Sequence, residues 1–189
     1  MNTSLIIVIA IAFVLLIFVI SVYNSLTNRK NQVANAFGTI DVQLKNRYDL
    51  IPNLVATVQQ YAAHEKELLS KITDLRTKAL QPNATAEDRV NLDNQISSAL
   101  SGLMVAVENY PDLKASQNFI DLQRALKEVE AQIAAARRAY NAAVTDYNNA
   151  IEMFPGNLMA GMMLLKSKQV FTATETERGN VNVKNLFNS

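Results

Sequence analysis

From Leu5 to Ile20 the chain is apolar without interruption, and no Lys, Arg, Asp or Glu occurs before Arg29. Val22 and Tyr23 carry the run past Ser21, giving about 18 apolar residues, close to the ~20 a helix needs to cross the hydrocarbon core of a bilayer. The segment is apolar on every face and sits at the start of the chain, so it reads as a membrane span and not as a buried core helix. We take 1–4 as a short leading segment and 5–23 as the span, with Leu5, Ile6, Val8, Ile9, Phe13, Leu16, Ile17 and Ile20 as membrane-spanning positions. A secretory signal would open on basic residues and end at a small-residue cleavage site; Met1 to Ser4 carries no basic side chain, so the segment reads as an uncleaved anchor. Arg29 and Lys30 follow the run and no acidic residue appears until Asp41. By the positive-inside rule the bulk of the chain is then cytoplasmic, with Tyr23 at the headgroup level.

Charge is confined to the remainder of the 189 residues. Eighteen basic against seventeen acidic side chains leave a formal +1, which gives nucleic acid no electrostatic footprint, and DNA and RNA are set aside as partners. The absence of cysteine excludes disulfides, thiolate metal sites and Cys nucleophiles. Five Gly and four Pro are few for a turn-rich β architecture, so an all-α chain is expected.

The apolar spacing agrees. Val33, Phe37, Ile40, Leu44 and Tyr48 form one stripe of a helix continuous with the anchor. Around Asp49 to Pro52 we expect a turn, either a hairpin or a kink, with Pro52 in the first turn of a new helix. Ile51, Leu54, Val58, Tyr61, Glu65, Leu68, Ile72, Leu75 and Ala79 then read as the seam of a second helix. A loop follows at Gln81 to Thr85. The third helix carries Leu92, Ile96, Ala99, Leu103, Val107 and Tyr110 and stops before Pro111. A short connection leads to the longest helix, about Ala115 to Glu152, whose stripe runs from Phe119 through Leu126, Ile133, Tyr140 and Tyr147 to Ile151. The expected fold is a transmembrane helix continuous with an antiparallel bundle of four long helices spanning 24–153.

An even number of passes that starts at the membrane ends there, which places Phe154 near the bilayer surface. The segment 154–171 holds Leu158, Met159, Met162, Met163, Leu164 and Leu165, too short to span, followed by Lys166 and Lys168. It suits the membrane interface or a contact with a neighbouring subunit, or it folds back as a short fifth helix. Tyr23, Phe154, Leu158, Met162 and Leu165 are the interfacial or assembly candidates. Residues 172–189 read as a polar tail in which Val181, Val183, Leu186 and Phe187 could add a short strand to a neighbour.

No chemistry emerges. His64 is the single histidine, beside Glu65 with no cluster of carboxylates or thiolates, so no metal site, catalytic residue or cofactor site is assigned. There is no phosphate loop, dinucleotide fingerprint or nucleophile elbow. Glu65 interrupts an apolar row; it is either paired, with Arg47, Arg124, Arg137 or Arg138 as candidates, or turned to solvent.

The runs Val33-Ala34-Asn35-Ala36-Phe37 and Ile40-Asp41-Val42-Gln43-Leu44-Lys45-Asn46-Arg47-Tyr48-Asp49-Leu50-Ile51-Pro52-Asn53-Leu54-Val55 closely resemble the bacterial LemA family. So do Tyr61-Ala62, His64-Glu65, Tyr110 to Ala115, Arg137 with Tyr140-Asn141, Tyr147-Asn148 and Phe154-Pro155. The chain departs from the family in its Met-rich stretch Met159 to Met163. The resemblance implies one N-terminal membrane helix in the bacterial inner membrane and a helical cytoplasmic domain, with no established enzyme activity. It further implies either a self-associating, homo-oligomeric scaffold that shapes a lipid bilayer or an adaptor for a membrane protease or signalling complex.

Overall fold

The computed structural model describes residues 3–81 and 86–171. The polar tail at 172–189, with its candidate strand, and residues 82–85 of the expected loop lie outside the described residues. Everything regular among the described residues is helical. The elements are α1 (Thr3–Tyr61), α2 (Lys66–Ala79), α3 (Ala86–Val107), α4 (Pro111–Lys114), α5 (Gln117–Glu152) and α6 (Gly156–Met162). The all-α class and the continuity of the apolar run with the first helix are as expected. The chain divides into two compact units, one formed by the described part of Met1–Gln43 with Ala131–Val170, the other containing Leu44–Glu130.

In the first unit α1 and α5 run antiparallel. Arg29 Nη1 donates to the carbonyl of Asp146 at 3.4 Å, and further along α1 the Phe37 ring meets Tyr140 edge-on with centroids 6.0 Å apart. Leu26 and Val33 from α1, Val144, Tyr147 and Ile151 from α5, and Ala160 from α6 form its core. Residues three, four or seven apart on a helix fall on one stripe, and the expected stripes held Val33, Tyr147 and Ile151 of this core; Leu26, Val144 and Ala160 were not on them.

The second unit departs from expectation in two places. No hairpin forms at Asp49 to Pro52: α1 continues through Pro52 to Tyr61. A proline inside a helix removes the N–H that would bond the carbonyl four residues back and commonly breaks or kinks it. Here that carbonyl belongs to Tyr48, and Arg76 Nε of α2 donates to it at 2.8 Å. The acceptor orphaned by Pro52 is satisfied from the neighbouring helix, so one large cost of an internal proline is offset.

The break lies instead at Ala62–Glu65, inside the seam expected to be unbroken from Ile51 to Ala79. Glu65 N donates to Ala62 O at 3.1 Å and Leu69 N to Glu65 O at 3.1 Å. These four residues re-phase the buried row: Ala62 and Leu69 are buried where Tyr61 and Leu68 were expected, and Tyr61 is exposed. The second helix is therefore 14 residues long, and the expected second long helix is divided between the end of α1 and α2. α3 ends at Val107, three residues short of the expected end, and Tyr110 instead precedes α4 as its capping residue. The short connection contains α4, with Pro111 in its first turn and Leu113 fully buried.

Candidate membrane interface

None of the residues from Leu5 to Ser21 contributes to a core. Leu5, Ile6, Val8, Ile9, Phe13, Leu16, Ile17 and Ile20 are all exposed, and the stretch is the one segment among the described residues with the length and composition to cross a membrane. Burial begins with partly covered Val22 and fully buried Leu26. Tyr23, between them, is exposed.

The end of α5 and all of α6 pack at that same level. Leu26 lies beside Gly156, and Val22, Met159, Met163 and Leu165 pack against the core cluster that contains Leu26, Ile151 and Ala160. Gly156 has a steric reason: a Cβ there would drive into the carbonyl oxygen of Ala150. The last turn of α6 closes with Leu165 N donating to Ala160 O at 3.0 Å and Leu164 N to Gly161 O at 3.2 Å. That is a Schellman termination, whose left-handed position usually holds glycine. Leu164 occupies it, at φ 51°.

α6 thus has two apolar faces. Gly156, Ala160, Met159 and Met163 turn inward with Leu165. Phe154, Leu158, Met162 and Leu164 turn outward, with exposures of 79%, 65%, 80% and 83%. Of the expected interfacial residues, Tyr23, Phe154, Leu158 and Met162 present open surface. Leu165 does not, because the Schellman turn folds it back onto the core. Beyond α6 the chain returns along α5, where the Tyr147 hydroxyl donates to Lys166 O at 3.1 Å and the Asn148 amide bonds both the N–H and the carbonyl of Lys168.

In the second unit Glu65 accepts a hydrogen bond from the Tyr110 hydroxyl at 3.3 Å, a partner absent from the arginines considered for it. Burial, then the adjacent Glu65 charge and the hydrogen bond to it, raise the Tyr110 pKa above its ordinary value. Arg47 has other partners. Its Nη1 lies 2.7 Å from Asp93 Oδ1 and 2.7 Å from Ser97 Oγ, and its Nη2 is 3.5 Å from Glu130. Sequence reasoning missed this buried network; Asp93 and Ser97 stand four apart on α3, flanking buried Ile96, which is the one signal that pointed to it. The network borders a cleft of about 140 Å³ whose other walls include Leu100, Met104 and Leu126. Among the described residues no cluster of His, Cys, Asp or Glu has the make-up to hold a metal.

Comparison with known proteins bears on these surfaces. Residues 36–185 match the model of the LemA family. Protein LemA of Metamycoplasma hominis is 32% identical over 165 residues, covering 87% of this chain and 75% of that protein. Magnetosome protein MamQ 2 of Paramagnetospirillum magneticum is 25% identical over 174 residues, covering 79% of this chain and 64% of that protein. Magnetosome protein MamQ of Magnetospirillum gryphiswaldense is 23% identical with the same coverage. The chain thus spans less than two thirds of the length of these magnetosome proteins.

Proposed function

Because the chain belongs to the LemA family, we propose that it is a non-enzymatic, membrane-anchored helical scaffold that self-associates to shape or organise a patch of membrane. Its place is the bacterial inner membrane, with the helical bulk in the cytoplasm and Arg29 and Lys30 on the inner side. The observation that carries this reading is the α1 helix itself: an exposed apolar run long enough to span passes without a break into a helix packed in a folded core. Likeness to magnetosome proteins supports a role at membranes. Weak lateral contacts between anchored copies add up because anchoring in a sheet raises their effective concentration. Sizing the full-length protein in native nanodiscs tests it: assemblies of several copies are expected, and a uniform monomer would overturn the scaffold.

A second reading, an adaptor for a membrane protease or signalling partner, draws on the cleft beside Arg47. A concavity edged by Ser101, Gln123 and Lys127 suits recognition of a partner group more than lateral packing does. Under that reading the nanodisc species is a monomer, and substitutions in the cleft abolish co-purification of the partner while leaving the helical fold intact.

A further inference from the structure

We propose that the α5–α6 corner is a second membrane contact, an apolar wedge of Phe154, Leu158, Met162 and Leu164 seated in the anionic inner leaflet beside the anchor. The proposal rests on the anchored reading above and adds to it a surface and an occupant.

Three independent observations select lipid. The first is continuity. Gly156 at the start of α6 lies beside Leu26, and Ala160, Met159 and Met163 share one apolar cluster with Leu26 and Val22, a turn or two from the end of the exposed apolar run, so the outward face lies near the level where α1 leaves hydrocarbon. An apolar surface at that depth meets headgroups and upper acyl chains before it meets water.

The second is layering. Because α1 and α5 are antiparallel in this unit, Arg29 sits against Asp146, and Lys166 and Lys168 are tied by their backbones to Tyr147 and Asn148. Residues 146–148 precede Phe154 by six to eight positions, about 9–12 Å along a helix. Three basic residues, with acidic Asp146 among them, therefore join the fold roughly that far behind the Phe154 tip, a net positive level in the order in which acyl chains and anionic headgroups are met on leaving a bilayer.

The third is Leu164. It holds a backbone conformation that favours glycine, and its side chain is 83% exposed, so it adds little packing within the chain in return for that conformation. Strain of this kind marks a position selected for something outside the local fold. A leucine aimed into lipid supplies it.

The chain contains neither Cys nor Trp, which permits single-site labelling of the full-length protein. Single cysteines at Leu158, Met162, Leu16 and exposed Ala134 of α5, each carrying an environment-sensitive fluorophore, are placed in vesicles of phosphatidylglycerol and phosphatidylethanolamine. Nitroxide-bearing lipids and aqueous iodide serve as quenchers. The labels at 158 and 162 are expected to lose most of their emission to the lipid nitroxide and little to iodide, as the label at 16 does, whereas the label at 134 shows the reverse. Labels at 158 and 162 open to iodide would overturn the wedge while leaving the anchor in place. Labels shielded from both quenchers mean that a second copy covers the face, which also overturns it. A label at 16 that escapes the lipid nitroxide brings down the anchor and the wedge together.

Discussion

Arg47 and Asp93 hold opposite charges 2.7 Å apart with 4% and 1% of their side chains exposed. Deleting one partner of such a pair strands the other without solvation, whereas replacing both with apolar residues of similar size is often close to neutral. Asp93→Ala should cost about 3 kcal/mol, the lower part of the usual range, because Glu130 stands 3.5 Å from the same guanidinium. Arg47→Met with Asp93→Leu should recover most of it; urea denaturation in detergent checks both. A second expectation concerns the tyrosines. Burial raises the pKa of Tyr110, Tyr140 and Tyr147, with the Glu65 charge adding to it at Tyr110. The unfolded chain then loses these protons at lower pH than the folded one, so their contribution is complete below about pH 10 and is lost as pH rises above it. A titration at 295 nm should show these three ionising above the ordinary tyrosine range. Tyr110→Phe should make the alkaline fall in stability shallower.

At the scale of elements, the passage of α1 through Pro52 depends on a residue in another helix. Arg76→Ala leaves the Tyr48 carbonyl without its donor and should cost about 1–3 kcal/mol. In a Pro52→Ala background, where the ordinary helical bond returns, the same change should cost much less, and a double-mutant cycle measures the difference. This accounts for the absence of a hairpin: a proline after a capping residue is a strong local signal, and it was overridden by a guanidinium 28 residues beyond the Tyr48 carbonyl it bonds. The break at Ala62–Glu65 was hidden for the opposite reason, since neither Pro nor Gly marks it and a four-residue re-phasing leaves the three-four rhythm nearly intact. Stripes on α1, α3 and α5 were legible because each is long and amphipathic. The outward face of α6 was legible as apolar, but the inward turn of Leu165 was not, because nothing in the sequence announces a leucine in a Schellman turn. Leu164→Gly should stabilise the fold by up to about 1 kcal/mol, read as a higher melting temperature. Gly156→Ala should loosen the α5–α6 corner, read as faster amide exchange at residues 150–165, because its Cβ has no space beside the Ala150 carbonyl.

For the molecule as a whole, the exposed apolar run and the folded units are separable in energetic terms. Residues 3–21 bury nothing in a core, so a chain beginning at Val22 should keep its helical signal and a cooperative melt. It should also lose its firm hold on the membrane fraction, keeping only the weak, salt-sensitive binding to anionic vesicles that the α5–α6 corner supplies; circular dichroism and pelleting assays check each part.

α1 has no break between the apolar run and the packed stripe that starts at Leu26. A continuous helix transmits torque, so the anchor and the first unit share one azimuth. Adding a single residue after Asn24 swings everything beyond it by about 100°, while adding seven returns it to within ~20°. Whichever flank of the anchor meets a neighbour therefore also dictates which flank of the first unit that neighbour confronts. If the anchored copies self-associate as proposed, association should vanish with the one-residue insertion and return with the seven-residue one.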